Sequence, residues 1–245
     1  MEGAGVRQAL VTQCRRWSCE RQWMCINTRD DDVLQLVRTA PGRFAGLAGY
    51  NPFAIGESVG KLEEAAAGGG FRGAYLNAEN FRLALTDNRV YPLYGKANEL
   101  GWPVMVQFGA DWGVATPHPT TFADLLHVSD DFPELTLVAT LRWWPSRALL
   151  EQVATQAENT YFVLPAALLD DTRMAAEVFC GPAAERLLWG SEGCKWKEGV
   201  EQLERLPVAQ TILRAFAGET ARRVFGLGKA AEVAAPAGEA LAAER

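Results

Sequence analysis

Histidine is the scarcest informative residue in this chain: two in 245, His118 and His127. No cysteine pair has the Cys-x-x-Cys spacing of zinc or redox sites, and the five cysteines (Cys14, Cys19, Cys25, Cys180, Cys194) are odd in number, so they read as reduced thiols. Cys14, Cys19 and Cys25 share no helix face, which argues against a metal there. Basic charge is also short: the net charge is −6, so nothing draws the chain to phosphate backbones or anionic lipid, and neither nucleic acid nor a membrane surface is expected as partner. No apolar run nears the roughly 18 residues of a membrane span, and MEGAGVRQAL lacks the layout of a signal peptide, so the expected address is the cytoplasm.

What is present is a 49% hydrophobic composition and a regular alternation of short apolar runs with longer helix-patterned stretches. The runs Gln8–Thr12, Phe44–Gly49, Gly73–Leu76, Pro103–Phe108, Leu135–Thr140, Tyr161–Leu164 and Leu187–Gly190 are bounded by Gly, Pro, Asn or Asp, as strands buried on both faces should be. Helical patterning covers Asp30–Thr39, Gly60–Ala67, Tyr91–Leu100, Thr121–Ser129, Arg147–Gln156, Thr172–Phe179 and Gln210–Phe216. Repeated βα units point to a TIM-type barrel of the α/β class, with a doubly wound open sheet as the alternative that pattern alone leaves open. One domain over 1–228 is expected, followed by an Ala-rich tail over 229–245 without large apolar residues to dock it. Gly68–Gly70 precedes a strand rather than a helix and reads as a connector, not a phosphate loop. Asp30–Asp32 reads as acidic bias at a helix start, with no metal role.

Several segments together resemble the second amidohydrolase family, which contains aminocarboxymuconate semialdehyde decarboxylase and related metal-dependent decarboxylases and hydrolases. They are PGRFAGLAGYNP (41–52), GFRGAYLNAEN (70–80), DNRVYPLYGKANELGWPVMVQFG (87–109), DFPELTLVATLRWWP (131–145), RLLWGSEGCKW (186–196) and ARRVFGL (221–227). The resemblance implies a metallo-dependent-hydrolase barrel with a divalent ion at its C-terminal mouth, held by a His-x-His pair on the first strand, a histidine on the fifth and an aspartate after the eighth. A catalytic histidine follows the sixth. In this chain Gln107 stands at the fifth-strand position, Thr140 at that of the catalytic histidine, and Glu192 at that of the aspartate. The His-x-His pair has no counterpart, and AGVRQALVTQ resembles the run into the second strand, so an N-terminally truncated barrel of about seven strands is expected. An unpaired edge would then need cover from a partner chain or from the residues before Gln8.

The resemblance therefore implies a degenerate, metal-free member with no cofactor: a pseudoenzyme subunit or scaffold in a homo- or hetero-oligomer, a catalytic paralogue among the candidate partners. The alternative is a metal-independent hydrolase, decarboxylase or cyclase acting on an aromatic carboxylate or amide. Its expected catalytic pair is Glu192 and Lys195, with a small aromatic acid bound by Arg142, Gln107, Trp112, Trp143, Trp196 and Asn77. Against that stand two plainer possibilities: Arg142 pairs with Glu192 as a relic salt bridge, and the tryptophans plug a vacated cavity. His118, between two prolines, is expected on a loop over the mouth, and His127 on a crossover helix.

Overall fold

The computed structural model describes residues 1–18, 21–108, 120–143, 145–191 and 196–228. A short strand β1 (Ala9–Val11) is followed by an antiparallel hairpin, β2 (Arg15–Ser18) and β3 (Trp23–Asn27), and then α1 (Asp30–Thr39). The chain continues as β4 (Phe44–Gly49), α2 (Ile55–Gly68), β5 (Phe71–Leu76), α3 (Tyr91–Glu99) and β6 (Val104–Gln107). Then come α4 (Phe122–Asp131), β7 (Leu137–Thr140), α5 (Arg147–Gln156), β8 (Thr160–Pro165), α6 (Thr172–Phe179) and β9 (Leu187–Gly190). Helix α7 (Trp196–Arg205), helix α8 (Gln210–Arg214), a π-helical turn (Ala215–Glu219) and α9 (Thr220–Val224) complete the described residues.

Seven strands form one sheet in the order β1-β4-β5-β6-β7-β8-β9, every neighbouring pair parallel. Strand order follows chain order, as in a TIM-type barrel, and the sheet is a curled, open half-barrel with β1 and β9 at its two ends. The seven expected strands are all present. Glu2–Ala4 forms a 3₁₀ turn beside α7, while Arg43 donates to the Val6 carbonyl at 3.1 Å and Gln8 to that of Gly42 at 2.9 Å. The residues before Gln8 thus run from beside α7 to the segment that enters β4.

Period-2 alternation along these strands sorts side chains onto two faces. Ala48, Ala74, Val106, Ala139 and Leu164 face outward into the main core beneath the helices, which includes Leu62, Leu93, Leu125, Leu150 and Val178. Leu47, Met105, Val138, Val163 and Leu188 face inward and form a second cluster with Phe225, against which Val224 and Leu227 pack. The helices begin where short polar side chains satisfy the first free amides: Thr121 accepts from the Asp124 N–H at 3.1 Å, Ser146 from Leu149 at 3.2 Å, and Asp171 from Met174 at 3.0 Å. Gly69 and Gly70 take positive φ of 69° and 88° and turn α2 directly into β5, the connector role expected of Gly68–Gly70.

Four features were not anticipated. The β2–β3 hairpin, α7 and α9 are new, and α2 starts at Ile55, five residues before the expected Gly60. Among the described residues no helix is long and apolar enough to cross a membrane.

Candidate functional site at the C-terminal mouth

The inward-facing positions at the C-terminal strand ends are Gly49, Tyr75, Gln107, Thr140 and Gly190, continuing the alternation set by Leu47, Met105, Val138 and Leu188. Tyr75 donates its hydroxyl to Gln107 Oε1 at 2.6 Å. Gln107 and Thr140 are register partners on β6 and β7, so the two positions at which the resemblance implies imidazoles stand side by side. They carry an amide already engaged by a phenol and a hydroxyl, Thr140 Oγ1, that is buried without a hydrogen-bond partner among the described residues.

On the other side of the mouth Asp30, the first residue of α1, reaches the top of β4. Its carboxylate accepts from the Gly49 N–H at 2.9 Å and from the side-chain amide of Gln13, and it lies 3.6 Å from the Arg15 guanidinium. Arg15 also donates from Nε to the Thr28 carbonyl at 3.5 Å, and its own carbonyl accepts from Asn80 Nδ2 at 3.1 Å. Gly49 leaves room for this: a Cβ there would stand 2.9 Å from Gln13 Oε1 and 3.1 Å from Arg15 Cζ. Gln13, Arg15, Gly49, Tyr50, Tyr75, Leu76, Asn77 and Phe81 line a recess of about 10 Å³, room for a single water. The hairpin is stapled over this corner by rings, with Trp17 on Phe53 at 4.8 Å, Phe53 on Phe81 at 6.1 Å and Arg89 above Phe53 at 5.2 Å.

The expected site residues fall in different places. Asn77 is buried and its Oδ1 caps the turn Ala78–Phe81 by accepting from Asn80 N–H at 3.3 Å. Glu79, on that turn, is buried and accepts from Thr120 N–H at 2.8 Å. Arg142 and Trp143 follow β7 and are both exposed; Trp143 is 46% exposed and edge-on to Phe108 at 6.3 Å, so it does not plug the barrel. Trp196 opens α7, half-buried. Glu192, Lys195, Trp112 and His118 lie outside the described residues, and with Glu192 goes the expected pairing to Arg142. His127 sits on α4 with its side chain 64% exposed, 3.5 Å from Asp131, as a crossover-helix residue should. Sequence reasoning missed Arg15 and Asp30 as mouth residues, because the hairpin that brings Arg15 to Asp30 was not recognised.

A second recess, about 440 Å³, runs outside the sheet between α1 and α2. Its walls carry both signs of charge, from Arg29 and Lys61 to Asp31 and Glu64, over a floor at Phe71.

The Amidohydrolase family model matches residues 21–227. The chain belongs to the amidohydrolase family. Similar folds among solved structures include an uncharacterized TIM-barrel protein from Bordetella bronchiseptica, 22% identical over 93% of this chain and 80% of that one, with a TM-score of 0.74. They also include 5-carboxyvanillate decarboxylase from Sphingomonas paucimobilis, 16% identical over 80% of this chain and 71% of that one, TM-score 0.62. A third is 2,6-dihydroxybenzoate decarboxylase from Rhizobium, 13% identical over 80% and 75% of the two chains, TM-score 0.60. At these identities the likeness shows the family's fold. A comparison with curated proteins finds no match. Among the described residues of this family member, no group of three or more His, Cys, Asp and Glu side chains comes together as a metal site would require.

Proposed function

We propose that this amidohydrolase-family chain works without the family's divalent ion, as a non-catalytic subunit or scaffold beside another enzyme of small-molecule metabolism, in the cytoplasm. The observation that carries this reading is the Tyr75–Gln107 hydrogen bond next to Thr140. A neutral amide is a poor ligand for a first-row divalent metal, and here its oxygen already accepts a hydrogen bond from a phenol. A threonine hydroxyl exchanges no proton near neutral pH, so the adjacent position offers no general base. The described donors at these two positions, an amide and a hydroxyl, do not suit a family-type ion.

Elemental analysis of the purified full chain with its native mass tests the reading. The expected result is substoichiometric zinc, manganese and iron in a homo- or hetero-oligomer. A monodisperse monomer that turns over substrate on its own contradicts it.

A second reading has one observation in its favour: Arg142 and Trp143 stand together and exposed just past β7, a cation beside a flat ring. Such a pair suits an aromatic carboxylate or amide, and structural relatives include decarboxylases of aromatic acids. In that case Glu192 and Lys195 supply acid and base, and Trp112, Trp196 and Asn77 complete the pocket. Turnover must then survive a chelator and fall in Glu192→Gln; a rate unchanged in that variant removes Glu192 from the chemistry.

A further inference from the structure

The groove of about 440 Å³ between α1 and α2 is within the size range of small-molecule sites. Toward the C-terminal ends of the strands it is lined by Arg15, Asp30, Asp31 and Glu57, and farther along the two helices by Leu34, Ala65 and Phe71.

The Arg15 side chain is only 12% exposed, yet most of its hydrogen-bonding capacity is unspent. Nε reaches the Thr28 carbonyl at 3.5 Å, while Nη2 stands 3.6 Å from the Asp30 carboxylate, too far for a hydrogen bond. Of the five N–H donors of the guanidinium, the four on Nη1 and Nη2 therefore have no acceptor among the described residues. A mostly buried cation in that condition is stabilised by a ligand that brings an acceptor. Asp31 is its complement, an exposed carboxylate with no hydrogen-bond or ion-pair partner among the described residues.

A ligand bearing only a carboxylate would meet Arg15, but also Asp30, Asp31 and Glu57, all of its own sign. Glu57 accepts a hydrogen bond from Lys61, which holds its carboxyl below the usual range, and Arg15 adds a smaller pull, so charge is felt across the groove. A ligand bearing only an ammonium would meet Asp31, but it would oppose Arg15 and leave those donors unmet. A molecule with both charges close together satisfies each of them. Leu34, one turn along α1 from Asp31, continues the groove with Ala65 and Phe71 as an apolar surface on which the rest of such a molecule can lie.

We infer that this groove binds a free α-amino acid with an apolar side chain, its carboxylate on Arg15, its ammonium on Asp31 and its side chain against Leu34, Ala65 and Phe71. The groove lies outside the sheet, so the inference stands apart from the question of a metal at the mouth.

The test titrates the full chain with phenylalanine, 3-phenylpropionate, 2-phenylethylamine and glycine by ligand-observed NMR. Phenylalanine is expected to saturate at millimolar concentration or below, at least about tenfold tighter than 3-phenylpropionate or 2-phenylethylamine, each of which forfeits one set of charge-assisted hydrogen bonds. Glycine, with no side chain to bury, is expected to bind at least about tenfold more weakly than phenylalanine. Asp31→Asn, at an exposed side chain, should bring phenylalanine down to the affinity of 3-phenylpropionate, and Ala65→Phe should weaken it by filling the apolar surface, with the folding of each variant checked by thermal melting. No saturation by phenylalanine at about 20 mM overturns the site. Equal affinity for phenylalanine and 3-phenylpropionate overturns the recognition of both charges, and equal affinity for glycine overturns the apolar part. Binding unchanged in both variants puts the amino acid elsewhere on the molecule and overturns the groove.

Discussion

On the outward face of the sheet Ala48, Ala74, Val106, Ala139 and Leu164 disappear beneath helices, while the inward face of the same strands ends in Gly49, Tyr75, Gln107 and Thr140 around partly open space. The outward residues are interchangeable in kind: apolar, close-packed, satisfied by area alone. The inward ends are held by particular hydrogen bonds, from Tyr75 to Gln107 and from the Gly49 N–H to Asp30, and two polar atoms, Gln13 Oε1 and Thr140 Oγ1, have no partner among the described residues. A family fold survives on the first kind of constraint, whereas its chemistry depends on the second. This chain keeps the one, and on the proposed reading it rewires the other.

Substitutions on each face should separate the two constraints. The largest effect belongs to the outward core: Phe162, fully buried with Phe122 at 6.5 Å, should cost about 3–5 kcal/mol as Phe162→Ala in chemical denaturation. Next comes Arg186, which donates to the carbonyls of Ala154, Ala157 and Thr160 and whose guanidinium burial pushes toward a lower pKa. Arg186→Met should cost about 2–3 kcal/mol by leaving those acceptors unmet, read by the same denaturation curves. Thr121→Ala, which removes the cap of α4, should cost about 1 kcal/mol without touching the mouth. If any of these changed the metal content of the purified chain while the protein stayed folded, the separation between faces would fail.

How much of this the sequence made legible depended on the range of the interaction. The seven sheet strands announced themselves because each is a continuous apolar run, buried on both faces, between turn residues, and Phe44–Gly49 and Leu187–Gly190 fall where expected. The hairpin was hidden by its composition, since Arg15, Arg16 and Arg21 obscure the alternation of Met24 and Ile26 with exposed Trp23, Cys25 and Asn27. Helix α7 was hidden by charge, although Trp196, Val200 and Leu203 keep helical spacing. Asp30 was legible as a helix-start acid, but not as the partner of Gln13, Arg15 and Gly49, because those contacts bridge 15 to 19 residues and are set by the packing of α1 on β4. Asn77, expected as a ligand contact, also caps the turn that follows β5, a local hydrogen bond of the kind asparagine makes readily.

The smallest effect is one of pH. Burial pushes the Tyr50 hydroxyl up to about 12, and burial with the Asp131 hydrogen bond does the same for Tyr91. Both are neutral when protonated, so the folded state holds these protons more tightly than the unfolded chain, whose tyrosines titrate near 10. Their contribution is complete below pH about 10 and is lost as pH rises toward about 12. The thermal midpoint should fall across that window, and less steeply in Tyr91→Phe. A midpoint flat to pH 12 would place these hydroxyls in water instead.

The rewired mouth is tested most directly by titrating the metal-stripped full chain with manganese in a calorimeter. The account predicts no saturable site at concentrations up to about 1 mM, weaker than about −4 kcal/mol of binding. A one-to-one isotherm at micromolar concentration, abolished by substitution at Gln107 or Thr140, would contradict it.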